Sequence, residues 1–225
     1  MAATERPSTP CVGASRATIE SMTVPGRVDA AALLLSLDPP DWFVAHSRAV
    51  AEVAAFLAAR IEANGIPIDR AVVEAAALLH DVDKVLPPKD PARRLSHGLG
   101  SAAWLDARGH EELARAVANH PVKRLADGEE HRRWAAFASR EERVVAYADK
   151  RAKERLVPMD TRFMTWRRRH RERWDDVTMR VVRGRADRLE ADVCRAAGIE
   201  PAEVRRLAWT TEALRAAGAP RSLAR

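Results

Sequence analysis

The segment Ala76-Ala77-Leu78-Leu79-His80-Asp81-Val82-Asp83-Lys84 constrains this chain more than any other, because an almost wholly apolar helical run stops in three ionisable side chains and a lysine. An imidazole or carboxylate carried into low dielectric must be paired, hydrogen-bonded or bound to a metal, since a bare buried charge is costly or neutralises itself. Neighbouring helical residues point about 100° apart, so His80 and Asp81 can both reach one ion beside the helix end. Lys84 follows one turn after His80 on the same face, where it can meet an anion held by that ion. The plainer reading is a helix terminus whose polar groups face water, and the rest of the chain must separate the two.

The 225 residues, 47% of them hydrophobic, can bury one sizeable core and do not require a second full domain. Aromatic residues are only 5%, and Gly and Pro cluster between long periodic runs rich in Ala, Leu and Arg, which predicts an all-α fold. A net charge of +6 favours anionic partners such as nucleotides, with nucleic acid as a second class, and says nothing of fold. Cys11 and Cys194 lie near opposite ends without CxxC spacing, so neither a disulfide framework nor a thiolate metal site is indicated, and a reducing cytoplasm is the expected setting. No apolar run is expected to reach the roughly 20 residues of a membrane span, and Met1 to Gly26 lacks the order of a signal peptide.

Taken in order, residues 1–26 mix Ser, Thr, Pro and Gly without period and read as a flexible leader. Asp29 is the expected cap of a short helix ending near Leu37, and Asp41 of a longer one through Asn64, whose apolar stripe Ala49, Val50, Val53, Phe56 and Leu57 also carries His46. Asp69 caps the central helix into His80-Asp81, and Pro87-Pro88 forces a turn. His97, beside Gly98 and Gly100, falls in the first turn of the next expected helix; His120 ends another that starts at His110. Gly128 marks a loop. Ser139-Arg140-Glu141-Glu142 has capping-box form and predicts a helix from Arg140 to about Leu156 containing Asp149, for which an i,i+4 bridge to Lys153 is the plain alternative. The first 165 residues then give a leader (1–26) and a helical domain (27–165), followed by a basic helical extension (166–225) packed on the core.

His46, His80, Asp81, His97, His120 and Asp149 each sit in or beside an apolar helical segment. A bundle that gathers these helix ends offers nitrogen and oxygen donors without sulfur, a set suited to one or two divalent ions of Mn, Fe, Zn, Mg or Co. The ordered pattern His46, His80-Asp81, Asp149 resembles the HD superfamily of metal-dependent phosphohydrolases over roughly residues 41–157. The form His80-Asp81-Val82-Asp83-Lys84, the histidine of His97-Gly98-Leu99-Gly100-Ser101-Ala102, His120 and Tyr147-Ala148-Asp149 are similar to the bacterial branch that splits diadenosine tetraphosphate symmetrically. That resemblance implies a compact HD-type bundle in which His46, His80, Asp81 and Asp149 bind a first metal and His97 and His120 a second, with Asp81 bridging. Two departures stand out: Ala152-Lys153 where the branch has Glu-Pro, ahead of Arg155, and the long basic C-terminal extension.

The expected activity is hydrolysis of a phosphoester or phosphoanhydride bond in an anionic nucleotide by metal-activated water, with Asp81 and Lys84 catalytic and Lys84, Arg155, Arg151 and Arg124 binding phosphate. The alternative is a basic helical module that binds RNA or another anionic partner and keeps the metal as a structural pin. His110, His131 and His170 match no motif position and serve as internal controls.

Overall fold

The alternation of apolar runs with Pro, Gly and Asp punctuation becomes ten α-helices and no strand among the residues described, 24–169, 172 and 174–219, in a computed structural model of the chain. Most of the leader and His170 lie outside the described residues. In chain order the helices are α1 (Arg27–Leu35), α2 (Asp41–Ala63), α3 (Arg70–Leu79), α4 (Leu99–Asp106), α5 (Glu111–Ala118), α6 (Gly128–Phe137), α7 (Arg140–Lys150), α8 (Met159–Arg169), α9 (Asp176–Ala197) and α10 (Thr210–Gly218). The division expected at 165/166 falls inside α8.

Start signals act largely as the side chains dictate. The Asp69 carboxylate accepts from the Val72 amide at 3.0 Å, and Ser139 and Glu142 form a reciprocal capping box at the start of α7. Two caps differ from expectation: Asp29 and Asp41 stand inside the first turns of α1 and α2, favourable to the helix dipole, while Gly26 and Pro40 hold the cap positions. Gly128 opens a helix rather than a loop, because the Asp127 carboxylate accepts from the Glu129 and Glu130 amides.

At the centre lies α2, packed against α3, α7 and α9, with Ala49, Val50, Val53 and Leu57 fully buried. Covering a leucine of this kind contributes roughly 1.5–3 kcal/mol. By length and composition α2 could cross a membrane, against the sequence expectation, but 67% of its most apolar window is buried inside the bundle, as in the core helix of a globular fold. The other two faces of the core come from α3 and α7, and the paired α4 and α5 close one side.

The C-terminal helices are fastened to this core by polar clasps. Glu52, 2% exposed on α2, accepts from Arg206 Nε at 2.7 Å and from the Thr210 hydroxyl, while its own carbonyl accepts from the Leu207 amide at 2.9 Å. α10 packs on α1, where the Arg27 guanidinium lies 5.1 Å above the Trp209 ring and donates to Glu74. On the other flank Tyr147 donates to Glu190 of α9 at 2.6 Å.

Candidate metal centre

The helix ends bring six side chains to one place. His46 comes from the second turn of α2, His80 and Asp81 from the end of α3, His97 from the loop before α4, His120 from just beyond α5, and Asp149 from the last turn of α7. Asp81 stands in the middle and is 1% exposed. Its Oδ2 lies 3.3 Å from His46 Nε2 and 3.4 Å from His80 Nε2; its Oδ1 lies 3.2 Å from both His97 Nε2 and His120 Nε2. Asp149 Oδ1 joins the first set, 3.6 Å from His46 Nε2 and 3.9 Å from His80 Nε2.

The hydrogen-bond inventory shows what these gaps are for. A backbone carbonyl only accepts, so an imidazole Nδ1 facing one must be the protonated nitrogen. His46 Nδ1 donates to the Lys153 carbonyl at 2.9 Å, His80 Nδ1 to the Ala77 carbonyl at 2.8 Å and His120 Nδ1 to the Val117 carbonyl at 2.7 Å. His97 Nδ1 faces the Asp83 carboxylate at 3.0 Å. In neutral rings every Nε2 then carries a lone pair turned toward an oxygen that also only accepts. Acceptors face acceptors, an arrangement that is repulsive until a cation lies between them.

His80 shows this most sharply: its Nε2 is buried with no hydrogen-bond partner, in a ring that is 0% exposed. Donors about 2.1 Å from a shared ion stand roughly 3.0 Å apart at right angles and about 3.4 Å apart at tetrahedral angles, which matches the closer spacings here. Two sets, His46, His80 and Asp81 and then Asp81, His97 and His120, hold their donor atoms within 4.8 Å of one another. The residues therefore fit a divalent metal, and Asp81 faces both sets.

Electrostatics agree. Burial is the largest influence on Asp81 and pushes its carboxyl up, yet the neighbouring His80, Lys84, His120 and His46 hold it well below the usual carboxylate range. Asp149 is likewise raised by burial and brought down further by Arg162 and Lys150. Burial depresses His120 to about 4, which keeps it neutral and able to donate a lone pair at neutral pH. The centre opens on one side, where the side chains of His97 and Lys84 are 33% and 41% exposed and the Lys84 ammonium contacts Asp81 Oδ2.

The arginines divide. Arg155 is exposed on the turn after α7, whose Lys153 carbonyl holds His46. Arg151 does not reach the opening: its buried guanidinium is spent on the Tyr147 hydroxyl, Glu190 and the Pro201 carbonyl, where α7 meets the C-terminal helices. Arg124 is committed to Glu130 at 2.5 Å and is largely covered. The causes differ: Arg151 is drawn to the distant C-terminal helices, whereas the partner of Arg124 lies only six residues on, in α6. Size is no guide either, since a surface groove of about 870 Å³ between α8 and α9 is lined by Phe163, Met164 and Gly184 and by none of the six donors.

Three supporting residues escaped the sequence reading. Asp83, 8% exposed, accepts from His97 Nδ1 and from the Gly98 amide at 2.9 Å; burial raises its carboxyl, and the His97 contact leads the influences that bring it below the ordinary range. This contact needs both glycines: Gly98 has φ +87° with Pro121 2.7 Å from a would-be Cβ, and at Gly100 a Cβ would stand 2.6 Å from the Ala92 carbonyl. Lys150, 1% exposed, donates to the His120 and Ala146 carbonyls at 2.8 Å each, and burial lowers its ammonium to about 8 against the opposing pull of Asp149. Arg162 of α8 donates from Nη2 to Asp149 Oδ1 at 2.6 Å, so the cation on Asp149 comes from another helix and not from Lys153, the plain alternative. A second acid two residues after Asp81 was a legible sign of Asp83; Arg162, lost among the arginines of a basic helix, gave none.

No curated protein and no solved structure matches this chain. The HD domain model matches residues 43–197, a span that begins just before His46 and contains all six donors. That family is typical of metal-dependent phosphohydrolases, and a match over more than half of the sequence settles membership: the chain belongs to the HD domain family.

Proposed function

We propose that this protein hydrolyses a phosphoester or phosphoanhydride bond in a nucleotide, with a dinucleoside polyphosphate as the first substrate to examine. The observation that carries the reading is the convergence of four imidazole lone pairs on the two oxygens of one buried carboxylate, with His80 Nε2 left without a partner. His46, His80, Asp81 and Asp149 would hold one divalent ion and Asp81, His97 and His120 a second. Such ions, when bound, lower the pKa of a water from about 15.7 toward about 7 and polarise phosphoryl oxygens.

The chain's own residues supply the rest. Main-chain carbonyls fix the tautomer and direction of His46, His80 and His120, so no reorientation is required when a substrate arrives. Lys84, at the open edge beside His97, is placed to move from Asp81 to a phosphoryl oxygen as negative charge develops there. Arg155, exposed two residues after the Lys153 carbonyl that holds His46, is the second cation we assign to an extended anion.

Part of the tail's basic charge is already spent, which weighs against the RNA-binding alternative: Arg167, Arg183 and Arg206 face acids, and Arg185 donates to the carbonyls of Leu125 and Ala126. Buried Cys194 fits the reducing cytoplasm we assign to the protein. Elemental analysis of protein prepared without chelator, followed by a nucleotide panel with the metal found, tests the proposal. Expected are at least one divalent ion per chain and release of phosphate or a nucleoside phosphate; metal-free protein with no turnover on any nucleotide would overturn it, and salt-sensitive RNA binding unaffected by His80→Ala would put the alternative in its place.

A further inference from the structure

We infer that Arg162 is a positioning residue for the metal centre: it locks Asp149 from α8 so that this carboxylate serves the ion beside His46 and His80, and it leaves the ion beside His97 and His120 untouched. The inference rests on the metal-site reading above and adds a residue that belongs to none of the motif positions. Its basis is a two-point grip. The Arg162 Nε donates to the Asp149 main-chain carbonyl at 3.1 Å while Nη2 donates to Oδ1 of the same residue at 2.6 Å, so backbone and side chain are held by one rigid guanidinium. Arg162 is itself held in place, 9% exposed as a residue and with its guanidinium 4.6 Å from the centroid of the Trp166 ring one turn along α8.

The need for such a grip follows from the helix end. Asp149 is the penultimate residue of α7, and after Lys150 the chain turns back through the Ala152–Leu156 bridge. A carboxylate in a last turn has its main-chain carbonyl free of the helical ladder and its side chain free to rotate. The Asp149 carbonyl accepts only a long bond from the Ala152 amide at 3.4 Å, and Arg162 adds a shorter one to it and selects one rotamer of the carboxylate. Oδ1 keeps a second lone-pair direction, and it is this atom that lies 3.6 Å from His46 Nε2 and 3.9 Å from His80 Nε2. Arg162 also sets which half of the centre is affected: its contacts are to Asp149, whereas His97 and His120 are oriented by Asp83 and the Val117 carbonyl. Lys150, the other cation beside Asp149, points to the His120 and Ala146 carbonyls and does not duplicate the grip.

The test is titration of the metal-free full chain with Mn²⁺ alone, read by calorimetry and by electron paramagnetic resonance, for wild type, Arg162→Met, Arg162→Lys, Asp149→Asn and His97→Ala. Arg162→Met keeps an apolar stem against Trp166, and we expect it to weaken the ion that Asp149→Asn also weakens by about 10–100-fold, with the ion lost in His97→Ala retained at wild-type affinity. Arg162→Lys keeps the charge but cannot reach both acceptors of residue 149, so it should recover only part of the loss; it also covers the case in which Arg162→Met does not fold. A merely structural arginine would lower the thermal stability of the metal-free chain and weaken both ions alike. Wild-type affinity at both positions in the two Arg162 variants, or equal weakening of both, overturns this inference alone. A wild-type chain that binds no Mn²⁺ removes it together with the metal-site reading.

Discussion

The two halves of the centre are built on different principles. Around Asp81 Oδ2, the His46, His80 and Asp149 side chains are no more than 9% exposed, and their anchors are main-chain carbonyls together with Arg162. Around Oδ1, His120 is equally closed, but His97 is 33% exposed and comes from a loop whose anchor is the Asp83 side chain. Helices hold the first half; a carboxylate and two close-packed glycines hold the second. The difference teaches which half is permanent and which meets solvent, and hence from which side an anion can arrive.

The strongest way to break this comparison is Asp81→Asn, which removes the charge common to both halves. Metal content should fall to background and hydrolysis with it, as elemental analysis and the nucleotide assay would show; an Asp81→Asn protein that keeps both ions refutes the bridging role. Lys84→Met is next. It should lower kcat by about 10²–10³, roughly 2.7–4 kcal/mol, with metal content unchanged, if the proposed role holds for this lysine at the open edge of the centre.

A third effect sits in the closed half of the Oδ1 side. The His120 imidazole falls from 6.5 to about 4 on folding, so between these values the unfolded chain binds more protons. In metal-free protein the stability it contributes is present above pH 6.5 and is lost as pH falls toward 4, by about 3 kcal/mol in all. Urea unfolding across that window checks it, and His120→Gln should flatten the slope. Smaller still, Asp83→Asn should weaken only the His97-side ion, by about 10–100-fold, leaving the other intact in the same Mn²⁺ titration. At the bottom of the scale His131→Ala, on α6, should leave metal loading unchanged; loss of metal there but not in His120→Ala would reverse the donor assignment.

The helical class was readable because apolar residues repeat at helical spacing and caps such as Asp69 and Ser139 act within three residues of themselves. The six donors stood out because each lies in or beside an apolar helical segment. What stayed hidden depends on contacts between helices far apart in sequence. The helix expected to reach Leu156 stops at Lys150, since the chain must double back to offer the Lys153 carbonyl to His46, and nothing local to 151–157 announces that. α6 was missed because Gly128 is a loop residue by habit and a helix residue here only through the Asp127 cap. Arg151 and Arg162 look alike in sequence, two cations in basic surroundings; one faces the C-terminal helices and the other the metal centre, a distinction made entirely by the placement of α8 and α9.

Glu52 lies on the same helix as His46, and the groups that satisfy its buried carboxylate belong to Arg206 and Thr210, near the other end of the chain. Trimming the protein back to the end of α9 would therefore not simply remove an appendage. It would take from Glu52 both of its side-chain donors and the segment that covers it, so residues 206–210 act as a distant keystone for the helix that carries His46.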